Sequence, residues 1–328
     1  MYYNNRDVRI EEMPRPKIGP DELLIKVRAS GICGSDVLEW YRLKKAPLVL
    51  GHEATGEIAE AGQAVREYRI GDRVFVSHHV PCNTCRYCLS GNHTVCETLH
   101  TTNYYPGGFS EYIRVPKINV ERGVFILPAE LSFEEGTFIE PLACVLRGQR
   151  MAGLKPGQKV LILGAGISGL LHLLAGRTKG VKEIMITDIN DFRLQLAKDL
   201  GAVSVFHAQD EKIANLKADL VIVCTGASAA FEQALKCVDR AGTILCFAAT
   251  EPGVNLSIPV NDFWRQSIKI MHSYGASPQD LKEAIELLKR KSIPVERLIT
   301  HRLSLQEAGQ GFKLVAGAAD CLKVILIP

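Results

Sequence analysis

From about residue 155 the chain alternates short, wholly apolar runs with longer amphipathic ones. KVLILG precedes ISGLLHLLAGRTKG, EIMITD precedes NDFRLQLAKDLGA, and DLVIVCTG precedes ASAAFEQALKCVDRAG, ahead of TILCFAA. A strand that is apolar along its whole length must be covered on both faces. Strands separated by helices achieve this as a parallel sheet with helices on either side. No other feature constrains the fold as tightly. The first run leads directly into Gly164-Ala165-Gly166-Ile167-Ser168-Gly169, and the second ends in Asp188. G-x-G-x-x-G alone is a common turn. Set between strand and helix, with an acidic residue closing the next strand, it is the arrangement that holds a dinucleotide. Gly164, Gly166 and Gly169 allow a tight turn, close approach of a pyrophosphate and close helix packing. The helix opening at Ile167 offers N–H groups and positive potential. Asp188 is expected to accept hydrogen bonds from the adenosine ribose hydroxyls and so to select NAD, with Arg193 nearby moderating its charge.

Before residue 145 the texture differs. β-like runs (LLIKVRAS, TGEIAEAG, DRVFVSH, SEYIRVP) alternate with glycine and proline punctuation, which reads as an irregular, mainly β domain. After about 275 a helix, DLKEAIELLKRK, is followed by pieces ending in CLKVILIP that look like a return to the first domain. The expected division is therefore 1–144, 145–274 and 275–328. TILCFAA, late in the parallel half, is expected to leave a sheet edge for a second subunit.

A loop at 80–98 interrupts the first domain with Cys82, Cys85, Cys88 and Cys96, spaced C-x2-C-x2-C-x7-C. Two-residue gaps put successive sulfurs on one side of a tight turn, and the longer gap lets the fourth close a tetrahedron. Asn83 and Gly91 supply the permissive backbone. Such an all-sulfur set is filled by one zinc and is structural. The chemistry belongs elsewhere.

Bulk properties remove other classes. The chain has 328 residues, 47% hydrophobic and 23% charged, with a net charge of +3. Its basic residues are dispersed except for Lys289-Arg290-Lys291, so there is no footprint for nucleic acid. No apolar run reaches the roughly 18 residues of a membrane span, and the polar N-terminus does not read as a targeting peptide. Ten cysteines without a secretory signal point to a reducing, cytoplasmic setting. Cys144, Cys224, Cys237, Cys246 and Cys321 read as small core residues.

Three further motifs are unexplained by folding alone: Gly31-Ile32-Cys33-Gly34-Ser35-Asp36, Gly51-His52-Glu53 and Ile139-Glu140-Pro141-Leu142. Together they offer sulfur, imidazole and carboxylate with a position left open, the donor mixture of a catalytic zinc. With GICGSD, GHE-x2-G-x5-G-x2-V, the cysteine lobe, EPLA and GAGISG occurring in this order, the chain resembles the zinc-dependent medium-chain alcohol dehydrogenases along essentially its whole length. GICGSD with EPLA points to the sorbitol (polyol) and threonine dehydrogenase branch. The resemblance implies an α/β protein with a GroES-like, mainly β catalytic domain and a Rossmann domain, a doubly wound parallel sheet. It also implies two zincs and NAD per subunit, and a dimer or tetramer. Cys33, His52 and Glu53 would hold the catalytic zinc, with Glu140 as a supporting or exchanging ligand. Asp36 would orient His52, Ser35 would take the substrate's hydroxyl proton, and Lys323 would place a cation near the pyrophosphate.

The implied activity is reversible transfer of hydride from a secondary alcohol of a polyol or sugar alcohol to NAD. Rival readings are oxidation of an amino alcohol such as threonine, a zinc-free quinone reductase, and a non-catalytic nucleotide sensor on the same fold. The last two give no reason to keep two full ligand sets. The family's relay histidine falls at Leu38, which cannot carry a proton, and Ser273-Tyr274 stands where an Arg-Tyr pair is common. His78, His79, His93 and His100 are read with the cysteine lobe, His172 as a packing residue, and His207, His272 and His301 as having no identifiable partner.

Overall fold

The computed structural model describes residues 1–318 and 320–328. The apolar runs after residue 155 form six parallel strands: β1 (Lys159–Leu163), β2 (Glu183–Asp188), β3 (Ser204–His207), β4 (Ala218–Val223), β5 (Val238–Cys246) and β6 (Lys269–His272). Their order is β3-β2-β1-β4-β5-β6, all parallel. β1 and β4 are buried almost throughout, the reason for their unbroken hydrophobicity. Leu161, Val221, Ile244, Phe231 and Phe263 lie in one core on a face of this sheet. The chain reverses its winding between β1 and β4. At such a switch point the loops beyond the strand ends leave room for a ligand.

TILCFAA does not lie at the edge of this sheet. It belongs to β5, flanked by β4 and β6. The edge on that side falls to β6, from KIMH, a run of mixed polarity that carries little strand signal because only part of it is covered, and the opposite edge is β3. Helix Val260–Gln266, just before β6, leaves Val260 and Trp264 largely exposed.

The chain divides into two compact units, Met1–Ala143 with Ala276–Pro328, and Cys144–Gly275. The first is built on a seven-stranded sheet. Strand Leu23–Gly31 is its spine, pairing antiparallel with Glu53–Ala61, Tyr112–Val115 and the C-terminal strand Lys323–Ile327. Strand Arg73–Ser77 extends it beyond Glu53–Ala61. Ile299–Ser304 runs parallel to Lys323–Ile327, so the tail completes the same sheet. Leu23, Ile25, Val27, Ile58, Val74 and Ile113 fill its core. No helix among the described residues is long and apolar enough to cross a membrane.

Candidate active site

Strand register assembles the mixed donor set. Gly31 pairs with Glu53, so Cys33, just past one strand, lies beside His52, just before the other. Cys33 caps the short turn Gly34–Val37. Its sulfur accepts from Ser35 N at 3.4 Å, and its own N–H donates to Asp36 Oδ2 at 3.0 Å. Gly51, before the imidazole, has φ +95°, and a Cβ there would strike the backbone and ring of Phe109. One ligand atom from each of Cys33, His52 and Glu53 falls within 4.8 Å of the others.

The surroundings prepare these groups. His52 Nδ1 lies 3.4 Å from Asp36 Oδ1, leaving the other nitrogen for a metal. Burial opposes charge on His52, but the Asp36 carboxylate and the Cys33 sulfur outweigh it and raise its pKa well above the usual value. Burial likewise pushes Asp36 up, while His52 and Arg42 pull it down to a net depression. Glu53 is fully buried, with Oε2 bonded to Lys323 Nζ and Oε1 without a hydrogen-bond partner. An orphaned carboxylate oxygen beside a thiol and an imidazole is a fit for a divalent metal. Burial raises the Glu53 pKa, Lys323 and His52 act against that, and Glu140 adds to it.

Glu140 opens helix Ile139–Met151 and stays outside the 4.8 Å set. Its charge reaches Glu53, but the structure does not bring it among the candidate ligands. Lys323 is fully buried in the unit that carries the mixed set, with its ammonium on Glu53 and 5.4 Å from the ring centre of Phe138. Its ammonium has Glu53 as partner, a role the sequence did not suggest beside the pyrophosphate contact expected of it. A Cβ on Gly31 would collide with this pair, which accounts for the glycine opening GICGSD.

Two features escaped sequence reasoning. Arg42 donates through Nε to Ser35 O at 2.9 Å, and through Nη2 to Ser35 Oγ at 3.1 Å and Asp36 Oδ1 at 3.2 Å. It closes the one-turn helix Glu39–Arg42, seven residues after Ser35, and no local signal in the sequence marks it. His78, read with the cysteine lobe, instead sets its ring 4.9 Å from that of His52, and His79 lies 3.8 Å from His78. Ser77 pairs with Glu53, so the next residue along arrives beside His52. Burial, then the charges of His52, His100, Lys45 and Arg42, lower the pKa of His79 to about 4.

In the lobe, the sulfurs of Cys82, Cys85, Cys88 and Cys96 also cluster within 4.8 Å, and no cysteine of the described chain is in a disulfide. Asn83 and Gly91 take positive φ, 61° and 81°. Hydrogen bonds from Thr84 and from the Cys85 N–H bring the Cys82 pKa down to about 5, whereas burial pushes Cys88 up to about 12. The N–H groups of Thr84 and Cys85 point at the Cys82 sulfur at 3.4 and 3.2 Å, an arrangement that favours thiolate.

At the end of β1, Gly164 has φ +105° and packs against Cys224 after β4. A Cβ on Gly169 would run into the carbonyl oxygen of Gly164, whereas one on Gly166 would meet only Arg193, at 3.9 Å. The turn is thus closed where the helix packs and open where a phosphate would approach. Helix Ile167–Thr178 has no side-chain cap at its start, leaving N–H groups for an anion. Asp188 Oδ2 accepts from Ala165 N at 2.6 Å and Oδ1 from Asn190 N at 2.9 Å. It therefore anchors the glycine turn, a role additional to the expected one. His172 is buried edge-on to Phe247, 4.6 Å between ring centres.

Comparison with known proteins agrees in both units. Residues 19–124 match the family described as alcohol dehydrogenase GroES-like domain, and residues 168–290 the family described as zinc-binding dehydrogenase. L-threonine 3-dehydrogenase of Chelativorans sp. is 33% identical, the match covering 92% of this chain and 90% of that protein. Sorbitol dehydrogenase of Bacillus subtilis is 31% identical, covering 99% and 96%. Among solved structures, a protein assigned as a zinc-binding dehydrogenase from Sinorhizobium meliloti, bound to NADP, superposes with a TM-score of 0.88. It has 28% identity and coverage of 99% and 97%. The GroES-like sheet, the doubly wound parallel sheet and these relatives together show that the chain belongs to the zinc-dependent medium-chain dehydrogenases, in their polyol and threonine dehydrogenase branch.

Proposed function

We propose that this protein oxidises a secondary alcohol of a polyol or sugar alcohol with NAD, reversibly. The reading rests above all on the Cys33–His52–Glu53 set, whose Glu53 Oε1 is buried without a partner. Cys33, His52 and Glu53 hold the catalytic metal, and Cys82, Cys85, Cys88 and Cys96 a structural one. When bound, zinc acts as a Lewis acid that makes a coordinated hydroxyl easier to deprotonate, and NAD accepts the hydride from carbon. Asp36 keeps the ring of His52 in one orientation. Arg42 donates to Ser35 Oγ, so that hydroxyl retains a lone pair for the substrate's proton and an O–H with which to pass one on. Leu38 carries no proton, and the exit runs through Ser35 and solvent. Gly166, the helix start at Ile167 and Arg193 receive the pyrophosphate, and Asp188 meets the ribose.

The identity to a threonine dehydrogenase favours a second reading, oxidation of an amino alcohol. The test is a panel of polyols, inositols, threonine, butanediol and ethanol, scored by kcat/KM with NAD. Polyols are expected first, then threonine, then ethanol, and Ser35→Ala should cost about 10²–10⁴-fold, as for loss of an acid–base path. A preference for ethanol, or indifference to Ser35→Ala, contradicts the proposal. We further place the protein in the cytoplasm as a homo-oligomer, pairing through the β6 edge beside exposed Trp264. Light scattering that gives a monomer at micromolar concentration would remove that assembly.

A further inference from the structure

The ring of His78 is the best-positioned polar group in the catalytic unit without an assigned task. It follows strand Arg73–Ser77, whose Ser77 stands opposite Glu53. Its ring centre lies 4.9 Å from that of His52, tilted by 51°, and 3.8 Å from that of His79, tilted by 34°. The backbone carrying it is clamped. Asn119 Nδ2 donates to Ser77 O at 3.0 Å and to His78 O at 2.9 Å, and Ser77 Oγ donates to His79 O at 2.8 Å. Asn119 is itself fully buried. The His78 ring is therefore held between two other imidazoles on a fixed main chain.

His78 Nδ1 is buried and has no hydrogen-bond partner. A buried polar atom left unpaired is costly, so native proteins retain such atoms chiefly where a water, ion or ligand completes them. Nδ1 is not among the atoms that gather into the mixed donor set, so a metal does not complete it. Arg42, the nearby guanidinium, is engaged by Ser35 and Asp36, which makes the locality a poor anion site. What remains is a neutral group beside the candidate ligand His52 that can donate or accept, and a hydroxyl fits.

We infer that His78 determines specificity, its Nδ1 hydrogen-bonding the hydroxyl on the carbon next to the one oxidised, so that the site selects vicinal diols over simple secondary alcohols. The inference rests on the polyol reading above and assigns the group that enforces it. In a vicinal diol one oxygen would be bound at the metal that Cys33, His52 and Glu53 would hold, while its neighbour, on the adjacent carbon, turns toward the imidazole of His78. A monoalcohol leaves Nδ1 unpaired and forfeits that bond.

The test compares butane-2,3-diol with butan-2-ol, which differ by one hydroxyl, in the zinc-loaded enzyme with NAD. Wild type is expected to prefer the diol. His78→Phe keeps an aromatic ring against His52 but removes the nitrogen. It should lower kcat/KM for the diol about 5- to 30-fold, which is about one to two kcal/mol of hydrogen bonding at ~1.36 kcal/mol per tenfold, and change that for butan-2-ol less than about threefold. His78→Asn, which can place an amide atom near Nδ1, should restore part of the preference. Diol binding to the enzyme–NADH complex, followed by calorimetry, should weaken by a similar factor, with zinc content unchanged. Equal losses for both alcohols would reduce His78 to a structural residue, and no loss for either would mean that Nδ1 serves a water only. Should His78→Phe fail to fold, the His78→Asn ratio and wild-type diol binding decide the matter. A wild type that oxidises other polyols but does not distinguish these two alcohols overturns this inference alone. A wild type inactive on every polyol overturns the polyol reading and the inference with it.

Discussion

Lys323 and Glu53 are both fully buried and bonded to one another. Removing one partner of such a pair leaves an uncompensated charge in a medium that solvates it poorly. Lys323→Met is therefore expected to destabilise the metal-free protein by about 3 kcal/mol, read from urea unfolding. Lys323→Arg should retain most of the stability if the larger head fits beneath Gly31. NADH affinity should change less than about twofold in Lys323→Met. A tenfold loss would return the residue to the pyrophosphate role that its engagement with Glu53 argues against. At this scale the sequence announced Cys33, His52 and Glu53, because few residue types bind zinc and all three sat in glycine-rich turns. Lys323, Arg42 and His78 stayed ambiguous, since a lone cation or imidazole in a sequence carries no sign of what it touches.

At the scale of elements, β2 and the turn after β1 form one device. Asp188 at the end of β2 accepts from the N–H of Ala165 in the glycine turn, so the residue proposed to meet the ribose also holds that turn in shape. An NADP 2′-phosphate set against this carboxylate would experience repulsion of roughly 4 kcal/mol for unit charges ~4 Å apart at an effective dielectric of ~20. Solvent and Arg193 reduce this, and kcat/KM should favour NAD over NADP by about 10²-fold. The S. meliloti relative was solved with NADP, so the comparison must be made on this chain. Asp188→Ser should shrink the preference and also lower efficiency with NAD, because the loop loses its anchor. An unchanged preference would remove Asp188 from cofactor selection. The four central strands of this sheet were legible because double-sided burial writes itself as continuous hydrophobicity. The edge strands β3 and β6 were not, because an edge is only half covered and its sequence is correspondingly mixed.

At the scale of the whole molecule, the structure gathers two sulfur-bearing clusters, for which we propose different ends. Elemental analysis is expected to give about two zincs per chain. Cys96→Ser should lower the melting temperature and halve the zinc while the remaining folded enzyme keeps its turnover. Cys33→Ala should also halve the zinc, but abolish turnover in a protein that melts normally and still binds NADH. If the two variants behaved alike, the separation into structural and catalytic sites would fail. The cysteine lobe was readable in full from spacing, since all four sulfurs lie within one short loop and local geometry alone can close the tetrahedron.

The sequence by itself determined whatever depends on neighbours along the chain: the parallel sheet, the glycine turn, the cysteine lobe and the donor types offered by GICGSD and GHE. Periodicity, turn chemistry and donor type are local properties, and they survive in a string of letters. Only the tertiary structure decided what depends on strand register between distant segments. The pairing of Gly31 with Glu53, of Glu53 with Ser77, and of Gly31 with Ile325 brings Cys33, His52, His78 and Lys323 into one unit around one carboxylate. A shift of one residue in any of these pairings would turn the side chains to the opposite face of the sheet. That alignment is set by the packing of the whole core, which no single segment encodes.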